Sequence, residues 1–280
     1  MQCIFVTDLH GRKNLYKKLF KIVNIEKPDG IFLGGDLLPG GFSIDEDIEE
    51  FIQDFLISEI KKIKKINPAT KFFVIFGNDD PRIFENLFID ASKNKLIEYI
   101  SSDTVKFKNL YVTGYPYVPP TPFRLKDWEK YDVSRFVDVG AVSPESGMRS
   151  IKIHEDKIIY ETIADDLELL SKNAPIGKTI YLFHSPPYKS FLDRANLDKK
   201  VIDHVPVDVH VGSIAIQRFI KQKQPFLTLH GHVHESTRLT GHWKEKIGKT
   251  YSFSAVHDGT ELCLVKFDTD NLENATRILL

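Results

Sequence analysis

The 280-residue sequence predicts an α/β fold built on a largely parallel sheet. Three observations carry that expectation. Five short apolar runs lack strict polar alternation, as strands buried on both faces do. Amphipathic helical segments separate several of them, and closely spaced strand-like runs close the chain.

In chain order, CIFV (3–6) is the first strand, and KNLYKKLFKIVNI (13–25) is a helix with apolar positions at three-to-four spacing. GIFL (30–33) is the second strand. Residues 45–66 form a second helix, with Ile48, Phe51, Phe55, Ile60 and Ile63 on one side. Its acidic start (DEDIEE) and basic end (KKIKK) complement the helix macrodipole, so the lysines read as a solvated face. KFFVIF (71–76), TIYLF (179–183) and PFLTL (225–229) are the remaining core strands, rich in β-branched or aromatic residues. IADDLELLSK (163–172) and SIAIQRFIKQ (213–222) are two further helices, and Gly212-Ser213 caps the second. The tail runs KTYSFSAV (249–256), ELCLVKF (261–267) and ATRILL (275–280) are expected as antiparallel strands on a second sheet. No linker divides the chain, which reads as a single domain over residues 1–280 with insertions at about 115–149 and 186–212.

Composition narrows the function. A net charge of −1 gives no global attraction to nucleic acid or membrane. Cys3 and Cys263 lie in apolar stretches and read as buried small hydrophobes, not as a disulfide framework. Asp8 and His10 stand where a signal peptide needs its apolar core, and no apolar run approaches the ~20 residues that cross a bilayer. A cytoplasmic location is the expectation.

The informative residues stand directly after each core strand: TDLHG with Asp8 and His10, GGD with Asp36, GNDD with Asn78, Asp79 and Asp80, HSPP with His184, and HGHVH with His230, His232 and His234. The carboxyl ends of strands form the ligand crevice of open α/β sheets, so five segments deliver Asp, His and Asn to one edge. Carboxylate, imidazole and amide oxygen together suit manganese, iron or zinc, and the absence of thiolates excludes a structural zinc finger. Seven such ligands suit two ions, and the two oxygens of Asp36 can bridge them.

D-x-H, G-D, G-N, a lone H and G-H-x-H, in that order, resemble the calcineurin-like metallophosphoesterase superfamily. The resemblance implies a four-layer αββα sandwich of two mixed sheets with a dimetal site at the carboxyl ends of the strands. It implies that one ion takes Asp8, His10, Asp36 and His234, and the other Asp36, Asn78, His184 and His232. His230 is then a strand-end neighbour and not a ligand. The implied activity is hydrolysis of a phosphodiester or phosphomonoester by a metal-bridging hydroxide, with a phosphorylated small molecule as substrate. A nuclease would need a basic track, and none is clustered here. A non-catalytic metal-binding scaffold is the rival of a different class, although all seven positions are filled.

Two departures stand out. Many members of the superfamily carry a histidine after the GN asparagine as leaving-group acid, whereas this chain has Asp79. A carboxylate beside two cations is expected to be ionised, and is a poor acid unless its pKa is raised. Either the leaving group departs unaided, or the proton comes from such an Asp79, from His230 or from His257. The proline-rich stretch within 115–149 either forms a lid presenting Tyr117, Arg124 or Arg149 to the substrate or packs over the core. In the second insertion, His204 reads as loop polarity and His210 as a candidate for the pocket rim.

Overall fold

The computed structural model describes residues 1–40 and 47–280. Alternation along β1 (Gln2–Val6) shows how the layers form. Ile4 and Val6 face a helical layer, while Cys3 and Phe5 face a second sheet. Such a strand needs apolar residues on both sides, which is why CIFV shows no polar alternation.

The first half of the chain builds one sheet and its helices. α1 (Lys13–Glu26) returns the chain to β2 (Gly30–Gly34). α2 (Ile48–Glu50), a π-helical segment (Phe51–Ile57) and α3 (Ser58–Ile66) then run on continuously to β3 (Lys71–Ile75). The helix expected over 45–66 is present from Ile48, while positions 45 and 46 lie outside the described residues. Its buried positions include Phe51 and Ile52, then Leu56 and Ile57. That five-residue interval is what the wider π turn brings into line. α4 (Glu85–Lys93) and the short β4 (Glu98–Tyr99) complete this half.

The second sheet begins with β5 (Thr104–Phe107) and β6 (Leu110–Tyr115). After the first insertion come α5 (Glu155–Tyr160), α6 (Ile163–Leu170) and β7 (Thr179–Phe183). The second insertion carries a small hairpin, β8 (Val201–Ile202) and β9 (Val205–Pro206), before α7 (Ile214–Lys223) and β10 (Leu227–His230). The chain ends with α8 (Ser236–Thr240), β11 (Lys244–Ile247), β12 (Thr250–Ser254), β13 (Cys263–Asp268) and β14 (Asn271–Leu279).

One six-stranded sheet has the order β14-β13-β1-β2-β3-β4, the other β11-β12-β10-β7-β6-β5. β1 to β4 run parallel, as do β6, β7, β10 and β12, while the outer strands are antiparallel. Phe5, Phe32, Phe73, Leu182, Leu229 and Phe253 fill the space between the sheets. α1, α3 and α4 cover the first sheet, and α6 and α7 cover the second, giving an αββα sandwich of mixed sheets.

The tail corrects one expectation. The run over 249–256 becomes β12, a parallel neighbour of β10 in the second sheet, whereas β13 and β14 cross to the first sheet and pair antiparallel beside β1. Three successive strand patterns reveal strands but not the sheet each joins, because all three present apolar faces to the same central core. Cys3 and Cys263 are buried and unbridged. Among the described residues, no helix is long and apolar enough to cross a membrane.

Candidate metal centre

Three core strands, β1, β2 and β10, deliver their polar residues by leaving the extended conformation abruptly. Asp8, His10, Asp36 and His232 all have positive φ, at 56°, 44°, 52° and 77°. Non-glycine residues occupy that region sparingly, and such strain concentrates where function over-determines the backbone. Asp80 braces two of these turns. Its buried carboxylate accepts from the backbone N–H groups of Leu37 (2.9 Å), Leu38 (2.8 Å) and Gly77 (2.8 Å), tying the turn after β2 to the turn after β3. Space is tight here. A Cβ on Gly77 would collide with the Asp36 carboxylate, and one on Gly231 would meet Asp8 and Thr7.

Ligand atoms of Asp8, His10, Asp36 and His234 lie within 4.8 Å of one another. His234 Nε2 is 3.1 Å from Asp8 Oδ1 and 3.2 Å from His10 Nε2. The backbone N–H of His232 donates to both Asp8 oxygens at 3.2 Å. A second group adjoins the first. His184 Nε2 is 3.3 Å from Asp36 Oδ2 and 3.1 Å from Asn78 Oδ1, and the His232 ring stands 5.3 Å from the His184 ring. His184 Nδ1 donates to the Gly34 carbonyl at 2.8 Å, a bond from one sheet to the other that turns Nε2 towards Asp36 and Asn78. Asp36 Oδ1 is oriented by the backbone N–H of Asp79 at 2.8 Å.

Electrostatics show what the cluster wants. Burial works to lower His184, but Asp36 outweighs it and raises the imidazole to about 10. Burial likewise opposes, and Asp8 overcomes, in raising His234 to about 9. Both carboxylates, which burial alone would push up, are held below the usual range, Asp36 chiefly by His184 and Asp8 by His234. His232 is driven the other way, to about 4, by burial and then by His184. Protons on two rings compensate carboxylates that cations could compensate instead. Oxygen and imidazole donors in this mixture fit borderline divalent ions.

The family model for calcineurin-like phosphoesterases matches residues 1–236. The chain belongs to the calcineurin-like phosphoesterase family. One solved structure with 17% identity covers 99% of this chain and 98% of its own, with a TM-score of 0.61. TT1561 of Thermus thermophilus has 14% identity, covers 99% of this chain and 98% of its own, and has a TM-score of 0.56. These likenesses show the fold. No curated protein matches the sequence. The family membership makes the chain a phosphoesterase, a hydrolase of phosphate esters, and the family is dimetal-dependent.

The other candidate residues of this phosphoesterase fall in different places. Asp79 stays at the cluster, with Oδ2 3.8 Å from His10 Nδ1 and Oδ1 accepting from Asn78 Nδ2 at 3.0 Å. Burial, then Asp36, raises it to about 6. His230 makes its contacts elsewhere. Its Nδ1 is bonded to the Ser185 carbonyl at 2.9 Å and its Nε2 to the Thr228 hydroxyl at 2.8 Å, and the ring stacks on Phe183. Both of its ring nitrogens are thus engaged within the second sheet and the turn after β7. His257 pairs with Glu261 at 2.9 Å in the loop after β12.

The proline-rich insertion packs against the core. Trp128 is buried and donates to the Asp80 carbonyl, Lys126 and Glu129 form a buried ion pair, and Asp132 accepts from Ser213 Oγ and the Ile214 N–H to cap α7 beside Ser213 itself. Tyr117 and Arg149 line a cavity that none of the seven cluster residues lines, and Arg124 is exposed outside it. His210 is half-buried, and its Nδ1 is fixed by the buried Asp193 at 2.8 Å. His204 is exposed in the β8–β9 turn. Sequence reasoning missed the bracing role of Asp80 and the part played by Arg12, whose guanidinium donates to the carbonyls of Asp8, Leu9 and Gly259. An acid directly after a ligand-bearing turn was the available signal for Asp80, while nothing in the spacing marked Arg12.

Proposed function

We propose that Asp8, His10, Asp36 and His234 hold one divalent ion (manganese, iron or zinc), that Asp36, Asn78, His184 and His232 hold a second, and that the chain uses the pair to hydrolyse a mono- or diester of a phosphorylated small molecule. The observation that carries this reading is the position of Asp36. It belongs to the four-residue group and also lies 3.3 Å from His184 in the second group, so one carboxylate is shared. When bound, two such ions supply positive charge to phosphoryl oxygens and acidify water towards neutrality. The chain's own residues do the rest. Gly34 and the Asp79 N–H orient His184 and Asp36 before substrate arrives, so little reorganisation remains for the reaction. Asp79, partly exposed beside His10, stands as proton donor to the leaving group.

Metal analysis and an aryl phosphate assay test the reading together. The protein should carry two ions, lose hydrolysis on exhaustive chelation and regain it with manganese. Asp36→Asn should lose activity by about 10³-fold. Undiminished hydrolysis by the chelated protein, or two ions retained by Asp36→Asn, overturns it.

A further inference from the structure

The cavity that holds Tyr117 and Arg149 has a volume of about 370 Å³, enough for a compact organic molecule. The chain as a whole is nearly neutral, yet this lining is not: six of its residues are Lys or Arg and three are Asp or Glu. Half of those cations are already satisfied. Lys126 pairs with Glu129, Lys130 with Glu161 and Asp166 at 2.8 Å each, and Arg82 with Glu85 at 2.9 Å. Arg149, Lys152 and Lys157 make no ion pair among the described residues. Arg149 spends Nη1 on the Pro144 carbonyl at 2.7 Å and leaves a buried Nε without a partner. A buried donor without an acceptor is costly, and an anion supplies the acceptor. Besides these charged groups the wall consists of His154 and of an apolar part from Tyr117, Ile151, Ile153 and Ile158.

We propose that this cavity is a second anion site, separate from the metal centre, that binds a compact organic phosphate by its charged group at Arg149, Lys152 and Lys157 and by its apolar part along Tyr117 and the isoleucines. It goes beyond the hydrolytic reading, because none of the seven cluster residues takes part. The two sites share a wall all the same. Trp128 lies under the Arg82 guanidinium at 4.7 Å and donates to the Asp80 carbonyl at 2.8 Å, beside the turn that carries Asn78 and Asp79.

Phenylphosphonate, which has no ester bond to hydrolyse, is the probe, titrated calorimetrically into manganese-loaded protein. The wild type should take two equivalents. The exposed-lysine variant Lys152→Glu/Lys157→Glu should lose one of them, and Arg149→Gln should weaken that one at least tenfold, with aryl phosphate hydrolysis within twofold in both. A control carrying the same charge change on α1, Lys17→Glu/Lys21→Glu, should keep both equivalents. A titration unchanged by Lys152→Glu/Lys157→Glu, or weakened equally by the α1 control, overturns the proposal.

Discussion

His230 and His232 are two residues apart and face opposite duties, because the chain leaves the strand between them: His230 ends β10, while His232 has a positive φ of 77°. The spacing H-G-H-x-H exposed the cluster but not which ring met the carboxylates, so the ring of His230 could be assigned only by its partners Ser185 and Thr228. Burial holds His230 at about 4, below its ordinary 6.5. Between those values the unfolded chain binds a proton that the folded chain refuses. Its stabilising contribution is therefore complete above pH 6.5 and lost as pH falls through 4, an effect of about 3 kcal/mol. Denaturation of His230→Asn across that window should give a flatter curve than wild type, and parallel curves would show that the ring titrates normally. Asp79 calls for a kinetic comparison instead. Asp79→Asn should slow an alkyl phosphate ester by about 10²-fold while sparing a nitrophenyl ester, and Asp79→His should recover much of the loss. Equal rates for all three proteins on the alkyl ester would exclude Asp79 as the acid.

At the scale of elements, the runs that announced strands did so because both faces are buried. β6, with LYVTGY, dilutes that signal with Thr and Gly, and β4 has only two residues, so both escaped a reading based on apolar runs. The turns were legible in composition but not in their bracing. Asp80 serves three backbone N–H groups in two turns, which no local pattern can encode, since 43 residues separate Leu37 from it. Asp80→Ala would leave those donors buried and unpaired, at about 1–3 kcal/mol each before relaxation. We expect a loss of at least about 2 kcal/mol in urea unfolding and about 10–100-fold in turnover. A variant of wild-type stability and activity would show that the turns hold their shape without it.

For the whole molecule, the two sheets meet along a seam of apolar side chains that ends at the cluster. Asp8, Asp36 and Asn78 follow strands of one sheet, while His184, His232 and His234 follow strands of the other. The apolar runs alone placed all five segments at the edge of one sheet, while the order of the motifs, through the family it resembles, implied two. The His184–Gly34 bond is the polar stitch across this seam. Any ion gripped from both sides then acts as a rivet between the halves of the protein. Each site filled by manganese at about 100 times its dissociation constant adds about 2.7 kcal/mol of stability, which for a chain of this size is roughly 4–5 °C in melting temperature. A calorimeter should see that rise in wild type and a much smaller one in His184→Ala, whereas equal rises would leave the two halves fastened by oil alone.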